Sequence, residues 1–278
     1  ESFNIFRDII DQINEMGDVD FVLFGGDNIN NTDPGTKGFD EFMSIMSSVK
    51  IPYFLQFGNR ESSPIPPEVA LSKEQYAIKT KGHGLDTGHY WWSISPVQGL
   101  RILGLDTSIS DHDNGDIPQT ELKWIKEEIT KYPHDMIVTL SHHLFLPTWE
   151  NRDMPKWKKK YLLENYQEVN TILEDAPQVK MCLTGHHHVS KIQTVNGLHY
   201  IASPATVQYP HAFRTVKINR KEARLQFHQV RDQRIIELGK KFLLTSKNAE
   251  EYAGGRQEDI LAYCHGSKLD NNVTLKLR

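Results

Sequence analysis

The run Val179-Lys180-Met181-Cys182-Leu183-Thr184-Gly185-His186-His187-His188 sets a mostly apolar stretch of strand length against a glycine and a histidine triplet. A short apolar run bounded by a turn signal reads as a buried strand. In extended backbone, residues i and i+2 share a side, so His186 and His188 are expected to converge while His187 points away. The same arrangement recurs upstream. Phe21-Val22-Leu23-Phe24 leads into Gly25-Gly26-Asp27-Asn28-Ile29-Asn30, Ile51 to Phe57 into Gly58-Asn59-Arg60-Glu61, and Met136 to Leu140 into Ser141-His142-His143. Four apolar runs thus end in a residue type that binds metals. Parallel strands bring such ends to one sheet edge, where ligand sites of α/β proteins form. Imidazole nitrogen and carboxylate oxygen together suit zinc, manganese or iron. Each motif has a plainer reading when taken singly. Gly-Gly-Asp-Asn is good turn chemistry, Asn59 after Gly58 has the same explanation, and a lone strand-end histidine more often completes a hydrogen bond. The agreement of all four in order is what argues for a metal site.

Outward from these runs, helices alternate with strands. Phe3, Phe6, Ile9, Ile10 and Ile13 recur at helical spacing. Helices are expected over Phe39 to Ser48 and Gln119 to Lys131, and strands over Tyr90 to Ile94 and Leu100 to Leu105. From about residue 190 the chain becomes strand-rich: Lys191 to Val195, His199 to Ala202, Phe213 to Ile218 and Ala223 to Val230, with a last helix over Asp259 to Tyr263. Mixed units followed by consecutive strands predict packed sheets flanked by helices in one domain spanning residues 1–278. The 278 residues carry 36 acidic against 32 basic side chains, a net charge of -4, so no basic excess points to nucleic acid. No apolar run approaches the ~20 residues of a membrane span. The two cysteines, Cys182 and Cys264, exclude a disulfide framework, and a cytoplasmic location is expected.

The order G-D-x-x-N, G-N-R-E, S-H-H and G-H-H-H resembles the calcineurin-like metallophosphoesterase superfamily, over about residues 20 to 205. Gly115-Asp116-Ile117 and Ile201-Ala202-Ser203-Pro204 are similar to its bacterial branch of class III cyclic-nucleotide phosphodiesterases. The resemblance implies an α/β fold, a four-layer αββα β-sandwich flanked by helices. It implies two divalent ions (Mn, Fe or Zn), with Asp27 bridging them, Asn59, His142 and His186 completing the second site, and His188 binding the first. It also implies hydrolysis of a small phosphate ester by a metal-activated water between ions ~3.5–4 Å apart.

Two departures from the family pattern matter. No D-x-H precedes Asp27; a strand ending in D-x-H is expected before Glu1. Arg60 replaces the usual histidine of the third motif. An arginine, with a pKa above ~12, cannot act as a general acid near neutrality, but its planar fork can hold phosphate oxygens. Family members lacking this histidine are often diesterases, which favours a phosphodiester; the added positive charge favours a monoester dianion instead. A catalytically impaired binding or scaffold protein on the same fold is the competing class. The segment Leu144 to Lys160, with Trp149, Trp157 and a lysine cluster, is expected to form a lid in which Trp149 stacks on the substrate. His143 and His187 are expected to face away from the metals, and Asp106 to serve a hydrogen-bonding role.

Overall fold

The computed structural model describes residues 1–31, 36–62, 71–85, 88–150 and 157–277. In chain order the elements are α1 (Ser2–Glu15), β1 (Val22–Phe24), α2 (Lys37–Met46), β2 (Tyr53–Leu55), α3 (Asn59–Ser62), α4 (Lys73–Lys79), β3 (Trp92–Val97), β4 (Leu100–Gly104) and α5 (Gln119–Lys131). There follow β5 (Met136–Leu140), α6 (Lys158–Tyr161), α7 (Tyr166–Glu174), β6 (Val179–Thr184), β7 (Lys191–Val195), β8 (Leu198–Ala202), β9 (Ala212–Ile218) and β10 (Glu222–Gln229). The chain then turns through α8 (Gln233–Thr245), 3-10 turns at Lys247–Glu251 and Ala253–Gly255, α9 (Gln257–His265), α10 (Lys268–Asn271) and β11 (Val273–Lys276).

Three sheets result among the described residues. The largest has the order β3-β4-β5-β6-β8-β7, its centre parallel and both its edges antiparallel. A parallel pair, β1-β2, and an antiparallel trio, β11-β10-β9, complete the strands.

The side-chain alternation of the central strands builds the layers. Ile102, Val138, Met181 and Ile201 point to one face of the six-stranded sheet and join Leu55, Ala223, Leu225 and Leu275 of the smaller sheets, with Phe57 just beyond β2. Their neighbours Leu103, Ile137, Cys182 and Tyr200 point to the other face, against Leu122 and Ile125 of α5 and Val169 and Leu173 of α7. A period of two buries both faces of these strands, which is why they read as continuous apolar runs. On the outer side of the small sheets, α1 turns Ile5, Ile9, Ile10 and Ile13 inward at helical spacing, in one cluster with Ile236 of α8 and Ile260 of α9. The layers are helix, sheet, sheet, helix. The parallel strands β1, β2, β5 and β6 all deliver their C-terminal ends to the same region of the sandwich.

Candidate metal centre

Asp27, Asn59, His142 and His186 meet at those strand ends. Ligand atoms of Asp27, His142 and His186 lie within 4.8 Å of one another. His142 Nε2 is 3.0 Å from His186 Nδ1, 3.2 Å from Asn59 Oδ1 and 3.4 Å from Asp27 Oδ1.

Each of these atoms is aimed by a second contact on its own side chain. His142 donates from Nδ1 to the Gly25 carbonyl at 2.9 Å. His186 donates from Nε2 to the Lys160 carbonyl at 2.8 Å. A carbonyl only accepts, so in the neutral rings the two facing nitrogens are both bare lone pairs. Asn59 donates its amide to Asp113 at 2.9 Å, which turns its oxygen toward the histidines. Asp27 Oδ1 accepts the Arg60 backbone N–H at 2.9 Å. Lone pairs pointed at one another across about a hydrogen-bond length repel unless a cation lies among them, so this donor set fits a divalent metal ion.

The electrostatics agree. Burial opposes charge on Asp27, yet His142 beside it holds the carboxyl at about 2. Burial likewise disfavours a charged His142, and Asp27 outweighs it, raising the imidazole above its ordinary value. Without a metal, Asp27 and His142 therefore hold a proton between them, at the position a bound cation would take. His186 is pushed well below the usual histidine range by burial and by His143 and His142, so it stays neutral, as a metal ligand must.

Glu61, fully buried, ties the two loops of the small sheet together. Its carboxylate accepts the backbone N–H groups of Asp27, Asn28, Ile29 and Gly58 at 2.7–3.2 Å. Burial and the adjacent Asp27 raise its pKa to about 7; a setting of four donors is nonetheless that of the ionised form, and the geometry favours it. Gly58 is required here, because a Cβ would lie 2.2 Å from Asp27 Oδ1.

His188 donates from Nδ1 to Gln208 Oε1 at 2.8 Å, leaving Nε2 free for a ligand role, and Asp27 acts on it electrostatically. It stands outside the tight group of Asp27, His142 and His186. Arg60, next in the chain to Asn59, is half-buried, and its guanidinium makes no hydrogen bond or ion pair to another described residue. His143 and His187 point elsewhere. His143 sits between the Thr107 hydroxyl at 2.8 Å and the Asp113 carbonyl at 3.0 Å. His187 accepts from Thr148 at 2.7 Å and donates to the Glu251 carbonyl at 3.3 Å. Burial brings both to about 3.

The reason His187 diverges differs from the alternation expected of a strand. His186 and His188 have φ of 63° and 56°, so the triplet is a turn with left-handed residues. Trp149 also departs from expectation. It is 8% exposed and packs edge-to-face on His187 with centroids 5.4 Å apart, so its ring faces the core. Of the expected lid, residues 151–156 lie outside the described residues. Asp106 accepts Ser108 at 2.7 Å and pairs with Lys73 at 2.5 Å, a hydrogen-bonding role.

Sequence reading missed Asp113 and Gln208 as orienting groups, and the Gly25 and Lys160 carbonyls. Nothing local marks them: Asp113 is 54 residues from Asn59, and the carbonyls carry no residue signature. Gly115 did carry a signal, since a Cβ there would fall 2.5 Å from the His143 ring.

A β-sandwich that gathers carboxylate, amide and imidazole donors at its parallel strand ends defines a metal-site protein of the phosphoesterase type. The chain belongs to the calcineurin-like phosphoesterase family, whose profile matches residues 1–190. It is 27% identical over 202 residues to the 3',5'-cyclic adenosine monophosphate phosphodiesterase CpdA of Haemophilus influenzae, covering 72% of this chain and 66% of that one. It is 26% identical over 181 residues to CpdA of Escherichia coli, covering 64% and 59%. The chain thus spans about three-fifths to two-thirds of the length of these relatives. In structure it is similar to a dimetal phosphatase from Danio rerio, with a TM-score of 0.65 at 16% identity over 81% of this chain and 85% of that one. That likeness supports the fold.

Proposed function

We propose that this chain is a metal-dependent phosphodiesterase acting on small diesters, with 3',5'-cyclic nucleotides as the substrate class suggested by its relatives' names. The observation that carries the reading is the pair of facing imidazole nitrogens 3.0 Å apart beside Asp27 and Asn59. In this reading Asn59, His142 and His186 hold one divalent ion, His188 contributes to a second, and Asp27 lies between them; manganese, iron and zinc all suit the donors. Such ions, when bound, polarise a phosphoryl oxygen and make water nucleophilic near neutral pH.

The protein's own side chains do the rest. The Gly25 and Lys160 carbonyls hold the two rings in the tautomers that leave the facing nitrogens bare. Arg60 directly follows the ligand candidate Asn59, and its cationic fork, unpaired among the described residues, is available to a phosphate oxygen, orienting the ester and offsetting charge that builds on phosphorus. It transfers no proton, so the leaving oxygen takes its proton from water, and a diester carries the single negative charge that one arginine matches.

The test is metal analysis together with initial rates on bis(p-nitrophenyl) phosphate, 3',5'-cyclic AMP and p-nitrophenyl phosphate. Diester hydrolysis that needs added Mn²⁺ or Zn²⁺ and falls at least about 100-fold in His186→Ala is expected, as loss of a well-placed electrostatic group commonly costs that much. Faster turnover of the monoester would make the chain a phosphomonoesterase of the same fold. Bound metal with no hydrolysis of any ester would sink the catalytic reading in favour of a scaffold.

A further inference from the structure

The chain beyond residue 190, outside the part matched by the family profile, reaches back to the histidine turn. His186 donates to the carbonyl of Lys160, and that carbonyl belongs to the peptide joining Lys160 to Tyr161. Both side chains flanking this peptide end on one carboxylate. Lys160 Nζ lies 3.1 and 3.2 Å from the two oxygens of Glu251, and the Tyr161 hydroxyl donates to the same group. Glu251 is 4% exposed, and its own backbone carbonyl accepts His187 Nε2–H at 3.3 Å. The Tyr161 ring packs on His186 and on His187, with centroids 5.1 and 4.3 Å away, and Tyr252 stacks on His187 at 5.4 Å. Tyr161 is also fastened to the other histidine loop, its carbonyl accepting the Leu144 N–H at 3.1 Å.

From this convergence we infer that Glu251 is a positioning residue for the metal centre, acting through the Lys160–Tyr161 peptide and His187 on the orientation of His186. The inference rests on the metal-site reading proposed above. Its physical content is a restraint on one peptide plane. With both neighbours pinned, the Lys160 carbonyl stays aimed at His186 Nε2–H, and Nδ1 stays bare. If the peptide turns away, the neutral ring loses the bond that selects its tautomer and can carry its proton on Nδ1, the nitrogen that faces His142. An incoming ion must then displace that proton, and affinity falls. Partners that orient a ligand histidine in this way are commonly worth ten- to a hundredfold in metal affinity.

The experiment measures Mn²⁺ and Zn²⁺ dissociation constants by titration calorimetry, and the tautomer of the His186 ring by ¹⁵N NMR of the metal-free protein. Glu251→Ala is expected to weaken binding ten- to a hundredfold and to shift His186 toward the Nδ1–H form. Glu251→Gln keeps an acceptor for the Tyr161 hydroxyl and should recover part of both. Ser246→Ala is the control. It loosens the same 3-10 turn by removing the hydroxyl that accepts the Asn248 N–H, yet touches none of the Glu251 contacts, and should lower Tm without changing either readout. Binding within twofold of wild type and an unchanged tautomer in Glu251→Ala would overturn the inference. Should Glu251→Ala not fold, Tyr161→Phe is read in the same two ways, with a several-fold loss expected and no change overturning it. If the wild-type protein binds neither ion, the metal reading fails, while the tautomer still decides whether Glu251 positions His186.

Discussion

Asp27, His186 and His188 sit at φ of 54°, 63° and 56°, where a residue with a Cβ is strained by roughly 1–2 kcal/mol. Three strained backbones at one place mark a site whose surroundings over-determine it, here through the Glu61 clasp and the carbonyl-bound rings. Arg60 belongs to the same loop. Its backbone is fixed at both ends, the N–H to Asp27 at 2.9 Å and the carbonyl to the Asn31 amide at 3.0 Å, which aims a side chain with no partner among the described residues. Arg60→Ala is therefore expected to lower kcat/KM by about 100- to 1000-fold, or ~2.7–4 kcal/mol, with metal content unchanged. Arg60→His should regain activity preferentially on esters with poor leaving groups, because a histidine can supply the proton an arginine withholds. A leaving-group series on the three proteins checks this. If Arg60→Ala matches wild type on every ester, the arginine is a bystander.

At the scale of elements, α8 shows where local preference and packing disagree. Gly239 lies inside this helix, where alanine is ordinarily better by about 1 kcal/mol. A Cβ at this position would fall 2.2 Å from Nε2 of the buried His211 ring. Overpacking of this kind costs about 1–3 kcal/mol, so Gly239→Ala should destabilise the protein and lower Tm; a rise in Tm would show that helix and ring are not in contact. The same glycine helps explain why α8 was not legible in the sequence. It stands in the middle of the apolar face that Ile235, Ile236, Leu243 and Leu244 form, and so breaks the stripe at its centre. By contrast β5 and α5 were read to their terminal residues, because a buried strand or an amphipathic helix writes its environment into its own pattern. The ligand candidates were legible for a related reason: each ends an apolar run. Their orienting partners were not. Asp113 and Gln208 sit on long connections, and what selects them is a meeting in space.

Across the whole molecule, the candidate ligands come from both sheets of the sandwich. Asp27 and Asn59 follow β1 and β2 of the small parallel pair, whereas His142 and His186 follow β5 and β6 of the six-stranded sheet. An ion held among them staples one layer to the other. The unfolded chain has no such cluster, because the ligands are separated by up to 159 residues of sequence from Asp27 to His186. Binding to the folded state alone stabilises by RT ln(1 + [L]/Kd), about 2.7 kcal/mol at a hundredfold excess over Kd. For a chain of this size each kcal/mol moves Tm by about 2–4 °C, so stripping the metal with a chelator should lower Tm by about 5–10 °C, and restoring Mn²⁺ or Zn²⁺ should return it. His186→Ala lacks a ligand from one layer, so its Tm should be nearly indifferent to chelator and to added metal. Parallel thermal scans of wild type and variant separate a staple from incidental binding. An ion bound elsewhere on the surface would shift both proteins equally, and that outcome would remove the site from its place between the sheets.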